Sequence, residues 1–455
     1  MDVLEIDSNN HSGNITNKIN KFNHGEVKTD LYIIDQYFLN TFPKEIFKIK
    51  NYRWLDPGAG TGNFSLSIFN RLMISLQEEI PISQKRKDHI IQNMLFMVEI
   101  NSENIEILKN IFGEKANIYH QDFLSFESPY KFDIIVGNPP FNSNGLKKVP
   151  TNNSLQKAND GTTIWINFVK RSLDLLKENQ YLCMITPIIW LKPDKAKMYD
   201  LLTSYKLLNL RCFNNTQTNK MFHGNAQTPT SIFLLQKSPT ENILSIYDEN
   251  NILQKYTLKP NYPIPTMGIT IINKMMKFVD LVGNIKVIKT NLPPRHVEII
   301  DKKHPESIYQ NITTCILYDN RPKLIFNYSY QPCPYHKKPK LVMAHGMYGF
   351  PYLDAEGKYG ISNRDKYVIL DRTMEDFIKL KAFLSTKFAL YLFECTKYRM
   401  KYLEKYIFEL IPDITKIEGF PEIITDITVQ DFFQLTDQEK ENINKLHNKD
   451  YYSII

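Results

Sequence analysis

From Thr29 onward, apolar residues recur every three to four positions: in "DLYIIDQYFLNTF" Leu31, Ile34, Tyr37 or Phe38 and Phe42 fall on one helical face. "YRWLDPGAGTGNFSLSIFNRLMISL" then reads as strand, glycine turn and helix. The alternation continues with a short apolar strand "LFMVEI", an amphipathic helix "NSENIEILKNIF", and strands "NIYHQDF" and "FDIIVG". Beyond a polar loop running through "LQKANDG" come a helix "TTIWINFVKRSLDLLKE", a strand "YLCMITP" and a strand pair ending in "TSIFLLQK". Strands separated by helices of this length predict an α/β fold, a doubly wound, mostly parallel sheet covered on both faces.

Residues 1–24 are rich in Asn, Ser, His and Lys without apolar periodicity, and read as a disordered lead-in. The α/β pattern fills a domain over 25–240. Residues 241–455 read as a second, mixed α/β domain of short strands, turns such as "DAEGKYG" and proline clusters such as "NLPPRH", ending in helices. Thr373 opens one long helix as N-cap, with Asp376 three residues on. Phe377, Leu380, Leu384, Phe388, Tyr391, Cys395, Tyr398 and Tyr402 carry its apolar face, and Lys379, Lys387, Lys397, Arg399 and Lys401 its basic one.

A length of 455 residues exceeds what one core usually serves, which agrees with two domains. The 42% hydrophobic and 23% charged fractions are those of an ordinary soluble protein, and no apolar run is long enough to cross a bilayer. The opening "MDVLEIDSNNHSGN" lacks the basic start and apolar core of a signal peptide, so an intracellular, cytoplasmic location is expected. Cys183, Cys212, Cys315, Cys333 and Cys395 form no CxxC pair, and the nearest ligand-like pair, Cys333 with His336, has no second pair beside it. Neither disulfides nor a metal are expected.

The net charge of +7 admits a polyanionic partner without demanding one. Its distribution says more. No acidic residue occurs from Asn320 to Leu353, where Arg321, Lys323, Lys337, Lys338 and Lys340 alternate with aromatic residues. This stretch reads either as a solvated basic face or as a nucleic-acid surface.

The chemistry concentrates behind the first strand. In "LDPGAGTGNF" Gly58, Gly60 and Gly62 allow a tight turn and bring bare backbone to a helix N-terminus, where N–H groups favour an anionic ligand group. Glu99 ends the next strand, where a carboxylate can accept both ribose hydroxyls of an adenosyl ligand, and Asp122 ends the third, where one can accept from an adenine amino group. "NPPF" follows the fourth strand, on the same carboxyl edge. Pro139 and Pro140 fix φ and donate no hydrogen bond, so the carbonyls of Asn138 and Pro139 and the Asn138 side chain can accept both protons of an sp² amino group while Phe141 stacks on the attached ring.

This order of motifs resembles the gamma-class amino-methyltransferases that act on DNA adenine, in which an AdoMet segment precedes an [N/D/S]PP[Y/F] segment and a target-recognition domain follows. "GEVKTD", Gly25 to Asp30, is similar to that family's N-terminal "GEVFTP" segment, with Lys28 in place of an aromatic and Asp30 in place of proline. The resemblance implies a class I S-adenosylmethionine-dependent methyltransferase fold with S-adenosylmethionine (AdoMet) as cofactor. It places Thr29, Asp56, Gly58 and Gly60 at the methionyl end, Glu99 on the ribose and Asp122 on the adenine. Asn138, Pro139, Pro140 and Phe141 become catalytic, and Phe222 covers the target base opposite Phe141.

Double-stranded DNA is the implied partner, contacted by Arg321, Lys323, Lys337, Lys338 and Lys340, with a cognate restriction endonuclease admitted and a monomer expected. The target base would be flipped out of the duplex and methylated in line, without metal. The same loop also fits cytosine N4, an RNA base amino group or a protein glutamine. "LDAEGK", with Asp354, Glu356 and Lys358, leaves a nuclease fusion as a distant alternative, and a DNA-binding specificity module as another.

Overall fold

In the computed structural model of the protein, the structure describes residues 27–142, 163–318, 321–346, 350–399 and 402–446. The expected lead-in over 1–24 and the polar loop through "LQKANDG" lie outside the described residues. The chain divides into two units: Met1–Tyr247 with Asn251–Lys259, and Asp248–Asn250 with Pro260–Ile455.

In the first unit the strands are β1 (Trp54–Asp56), β2 (Leu95–Glu99), β3 (Asn117–His120), β4 (Phe132–Gly137), β5 (Leu176–Pro187), β6 (Tyr205–Phe213), β7 (Thr230–Pro239), β8 (Ile243–Tyr247) and β9 (Leu253–Thr257). They form one sheet in the order β3-β2-β1-β4-β5-β7-β6-β8-β9. β3 to β5 along that order are parallel, and β7 runs antiparallel to both neighbours. This is the doubly wound α/β sheet of the class I methyltransferase fold. β1, β2 and β4 are buried at every position, as strands covered on both faces must be. The unit runs past residue 240 because β8 pairs with β6 and β9 with β8, which extends the sheet.

The chain proceeds outward from β1 to β2 and β3, then returns to the other side of β1 with β4. The carboxyl ends of β1 and β4 therefore flank the point where the winding reverses, the place such sheets leave a ligand crevice. The N-terminal face packs here as its pattern predicts, with Ile34, Phe38 and Leu39 fully buried, but as a short helix Leu31–Ile33 followed by a π turn Ile34–Phe38 and a 3-10 turn Leu39–Thr41. The helix Trp165–Leu175 passes directly into β5, ending earlier than the sequence pattern suggests.

Among its described residues the second unit holds two four-stranded sheets. One has β10 (Ile288–Lys289), β17 (Tyr367–Ile369), β14 (Lys340–Met343) and β15 (Tyr352–Asp354) in that order. The other has β11 (Ile299–Ile300), β13 (Arg321–Ser329), β12 (Tyr309–Tyr318) and β16 (Gly360–Ile361). The long helix expected from Thr373 is two helices, Met374–Leu384 and Lys387–Glu394. Thr373 caps the first as anticipated, but Thr386 accepts from Ala389 N at 3.1 Å and donates to Phe383 O at 2.7 Å, which ends one helix and starts another. The basic face is also partly neutralised, since Lys379 pairs with Glu375 and Lys397 with Glu394.

Candidate active site

Between β1 and the helix Asn63–Ser75, the glycine loop needs its glycines for different reasons. Gly60 and Gly62 have φ of 53° and 92°, and a Cβ on Gly62 would lie 2.8 Å from Leu108 Cδ2. A Cβ on Gly58 would meet nothing within 4 Å, so the backbone there borders open space that a ligand can enter. The loop is fastened to β2 by Ala59 N donating to Val98 O at 3.0 Å and by Gly60 N donating to Glu99 Oε2 at 2.6 Å.

Glu99 is buried, and its other oxygen accepts from Ile100 N and Asn101 N at 2.9 and 2.8 Å. Three backbone donors occupy most of the roughly four lone-pair sites of a carboxylate. Glu99 therefore clips the glycine loop to the strand end, and its remaining capacity suits one further donor such as a ribose hydroxyl. Ile100, which sequence reasoning passed over, is 49% exposed at the carboxyl end of β2. An exposed apolar side chain directly after the strand acid offers a face for a flat ring, and that pairing was its available signal. Asp122 is exposed, and its Oδ1 caps the turn Phe123–Ser125 by accepting from Leu124 N at 3.0 Å.

Asp56 is 2% exposed, and its Oδ2 accepts from Ser65 Oγ at 3.0 Å. Its Oδ1 is buried with no hydrogen-bond partner among the described residues, and a Cβ on Gly137 would sit 3.5 Å from it. Burial pushes the carboxyl up to about 7, Glu99's charge adds to the rise, and the hydrogen bond from Ser65 opposes it. An orphaned buried acceptor beside open backbone at the switch point fits a ligand carrying a cationic donor, as the methionyl end of AdoMet does.

Asn138 leaves β4 on the other side of this crevice. Its Nδ2 donates to Val27 O at 3.2 Å and to Thr29 Oγ1 at 3.1 Å. Among the described residues nothing donates to Asn138 Oδ1 or to the main-chain carbonyls of Asn138 and Pro139. The loop is held beyond by Ile164 N donating to Phe141 O at 3.1 Å, and Phe141 is half-buried. Among the described residues, three acceptors thus stand without a donor at one strand end.

Two residues expected in contact with substrate are placed otherwise. Phe222 is 1% exposed and packs in the core with Ile34, Phe38 and Leu234, so it presents no face to a base. Lys340 is fully buried: its Nζ donates to Asp354 Oδ2 at 2.6 Å, to Tyr335 O at 3.1 Å and to Lys338 O at 3.2 Å. It is an internal tie and not a phosphate contact. Asp354 also accepts from Lys358 N and Tyr359 N, which spends the acid of the nuclease-like "LDAEGK" on its own turn. Lys323, Lys337 and Lys338 are exposed, and the side chain of Arg321 lies outside the described residues.

The five cysteines are unpaired, and no cluster of metal-ligating side chains occurs among the described residues. No helix among them is long and apolar enough to cross a membrane.

Residues 58–222 match the Eco57I restriction-modification methylase family. A tRNA1(Val) (adenine(37)-N6)-methyltransferase of Bacteroides thetaiotaomicron is 28% identical over 141 residues, 30% of this chain and 52% of that protein. The Type II methyltransferase M.AccI of Acinetobacter calcoaceticus is 28% identical over 216 residues, 44% of this chain and 37% of that protein. The chain thus spans about half the length of the first relative and less of the second. Among solved structures, the Type IIL restriction-modification enzyme MmeI in complex with DNA aligns over 87% of this chain and 69% of its own, with 12% identity and a TM-score of 0.46.

Proposed function

Starting from residues 58–222 as an AdoMet-dependent methyltransferase segment of restriction-modification type, we propose that the protein methylates the N6 amino group of adenine in DNA. The observation that carries this reading is the trio of acceptors at the end of β4, Asn138 Oδ1 and the carbonyls of Asn138 and Pro139, to which nothing among the described residues donates. An exocyclic amino group has two protons to give and no strong acceptor of its own, so it suits a site made of acceptors alone.

AdoMet, when bound, supplies an electrophilic methyl on a sulfonium. Gly58 and Gly60 would line its methionyl end, where Asp56 would hold the cationic amine, while Glu99 and Asp122 would accept from ribose and adenine. Asn138 and Pro139 would hold the target amino group by its two protons and so orient its nitrogen lone pair, and Phe141 would stack on the attached base. Transfer in line would form the N–CH3 bond as the methyl–sulfur bond breaks, leave S-adenosylhomocysteine and release one amino proton to water, with no covalent intermediate on the chain, and orientation would supply most of the acceleration. Unpairing and unstacking the base costs a few kcal/mol, of which one aromatic stack offsets about 1–3 kcal/mol.

The relatives keep a second reading in view, since one acts on tRNA adenine and M.AccI is a Type II methyltransferase. The large second unit with its basic stretch, in which Lys323, Lys337 and Lys338 are exposed, favours a nucleic acid over a protein glutamine. Incubating purified protein with labelled AdoMet and duplex DNA, RNA or protein, then identifying the methylated base by mass spectrometry, tests it. N6-methyladenine in DNA is the expected product. Label in cytosine or only in RNA would replace the reading.

A further inference from the structure

Resting on the reading of Asn138 as the amino-group acceptor, the geometry assigns Thr29 a task other than contact with the cofactor: together with the Val27 carbonyl it positions Asn138, holding the side-chain amide with Oδ1 toward the substrate. The two ends of an asparagine amide have nearly the same shape and opposite hydrogen-bonding roles. With Oδ1 toward the substrate the residue accepts from an amino group, and with Nδ2 there it sets donor against donor. Nothing in the size of the side chain selects between them, so the selection must come from what stands behind it.

Behind it stand a carbonyl that can only accept and a hydroxyl that accepts here. Nδ2 donates to Val27 O at 3.2 Å and to Thr29 Oγ1 at 3.1 Å. A main-chain carbonyl can only accept, so a flipped amide would place Oδ1 against Val27 O, lose that bond and force the Thr29 hydroxyl to turn from acceptor to donor. Thr29 is 3% exposed, and its hydroxyl is therefore committed locally and not to solvent.

The segment that carries these acceptors is itself anchored at both ends of the site. Asn63 Nδ2, at the start of the helix behind the glycine loop, donates to Thr29 O at 2.8 Å. His223 Nε2 lies 2.8 Å from Asp30 Oδ2. Residues 27–30 form a strap from the cofactor helix across Asn138 to the turn after Phe222. Asp30, which departs from the proline seen in similar proteins, gives this strap an anchor that proline could not.

Thr29→Val keeps the branched shape and removes the acceptor, Thr29→Ser keeps the acceptor, and Thr29→Cys, a weak acceptor of similar size, serves if the valine variant does not fold. At saturating AdoMet, kcat for methyl transfer should fall about tenfold or more in the valine or cysteine variant, with the AdoMet Kd unchanged within about twofold, and recover in the serine variant. A raised AdoMet Kd with kcat retained would assign Thr29 to the cofactor and overturn the inference, as would wild-type values for both.

A second readout does not depend on turnover. In protein labelled with 15N-asparagine, the Nδ2 proton pair absent from Asn138→Asp should exchange slowly with water in wild-type and Thr29→Ser and faster in Thr29→Val. Equal exchange in all three overturns the inference even if the substrate is not DNA. Wild-type protein that methylates no nucleic acid, with the protection pattern intact, would overturn only the proposed substrate.

Discussion

Lys340 Nζ lies 2.6 Å from Asp354 Oδ2, with both side chains buried. Burial lowers the lysine's affinity for its proton, and the carboxylate raises it again. The pair joins the two turns of the basic loop: Lys337 N donates to Gly357 O at 2.7 Å, and a Cβ on Gly357 would sit 2.5 Å from Lys338 N. Removing one partner leaves the other charge buried and alone, which costs about 3–5 kcal/mol. Lys340→Met should therefore destabilise the protein by that amount in urea titrations. Lys340→Met with Asp354→Leu should recover part of the loss.

Lys337 and Lys338 are exposed on that same loop and remain free to meet phosphates. Replacing both with Gln should weaken DNA binding while leaving stability within about 0.5 kcal/mol. The log–log salt slope of binding should become shallower by about 0.9 for each phosphate that the variant no longer neutralises. An unchanged slope would move the nucleic-acid surface elsewhere, to Lys323 or beyond this stretch.

Asn138→Ala removes one of the trio of acceptors and leaves the glycine loop, Asp56 and Glu99 in place. Methyl transfer should fall by about 10²-fold or more, since positioning and hydrogen bonding of the reacting group are lost together. AdoMet binding by calorimetry should be retained. Full turnover by this variant in a labelled-methyl assay would sink the proposed mechanism.

The sheet was legible because its strands are short apolar runs between amphipathic helices, and a parallel sheet buried on both faces writes that pattern plainly. The motif positions followed from the sheet, since each lies just after a strand. Individual side chains were harder. Phe222 is followed by the polar turn "HGN" and looks like a loop aromatic, yet it lies one helical turn after the buried Thr218 and faces the core with it. Lys340 looks like its neighbours in "HKKPK", and only its cross-strand register opposite Asp354 distinguishes it. Thr29 was assigned to the cofactor by resemblance, because a contact to a residue 109 positions away has no local signature.

Glu99 couples stability to binding. Glu99→Gln exchanges one acceptor oxygen for a donor, so at least one of the N–H groups of Gly60, Ile100 and Asn101 faces a donor or loses its partner. A buried donor left unsatisfied costs about 1–3 kcal/mol. Thermal unfolding of the protein without cofactor should register that loss, and the AdoMet Kd should rise about tenfold or more. A weaker Kd with unchanged stability would mean that the clip to the glycine loop contributes nothing to folding.

Asp56 gives stability a pH dependence of unusual sign for a carboxylate. Its ordinary value of 3.8 is raised to about 7, chiefly by burial. Between about pH 4 and 7 the folded chain keeps a proton that the unfolded chain has released, so the contribution of Asp56 to stability declines as pH rises through that window and stays low above it. Other acids slope differently, but Asp56→Asn cancels only this one. The difference in unfolding free energy between wild-type and Asp56→Asn should shift in favour of the variant from pH 5 to pH 8. A cationic amine beside Asp56 favours the ionised form, so AdoMet should bind more tightly as pH climbs toward 7 and release a proton at pH 6. Calorimetry at pH 6 in two buffers of different ionisation enthalpy counts that proton, and Asp56→Asn should remove it. Equal proton release by the variant would place the cofactor's charge away from Asp56.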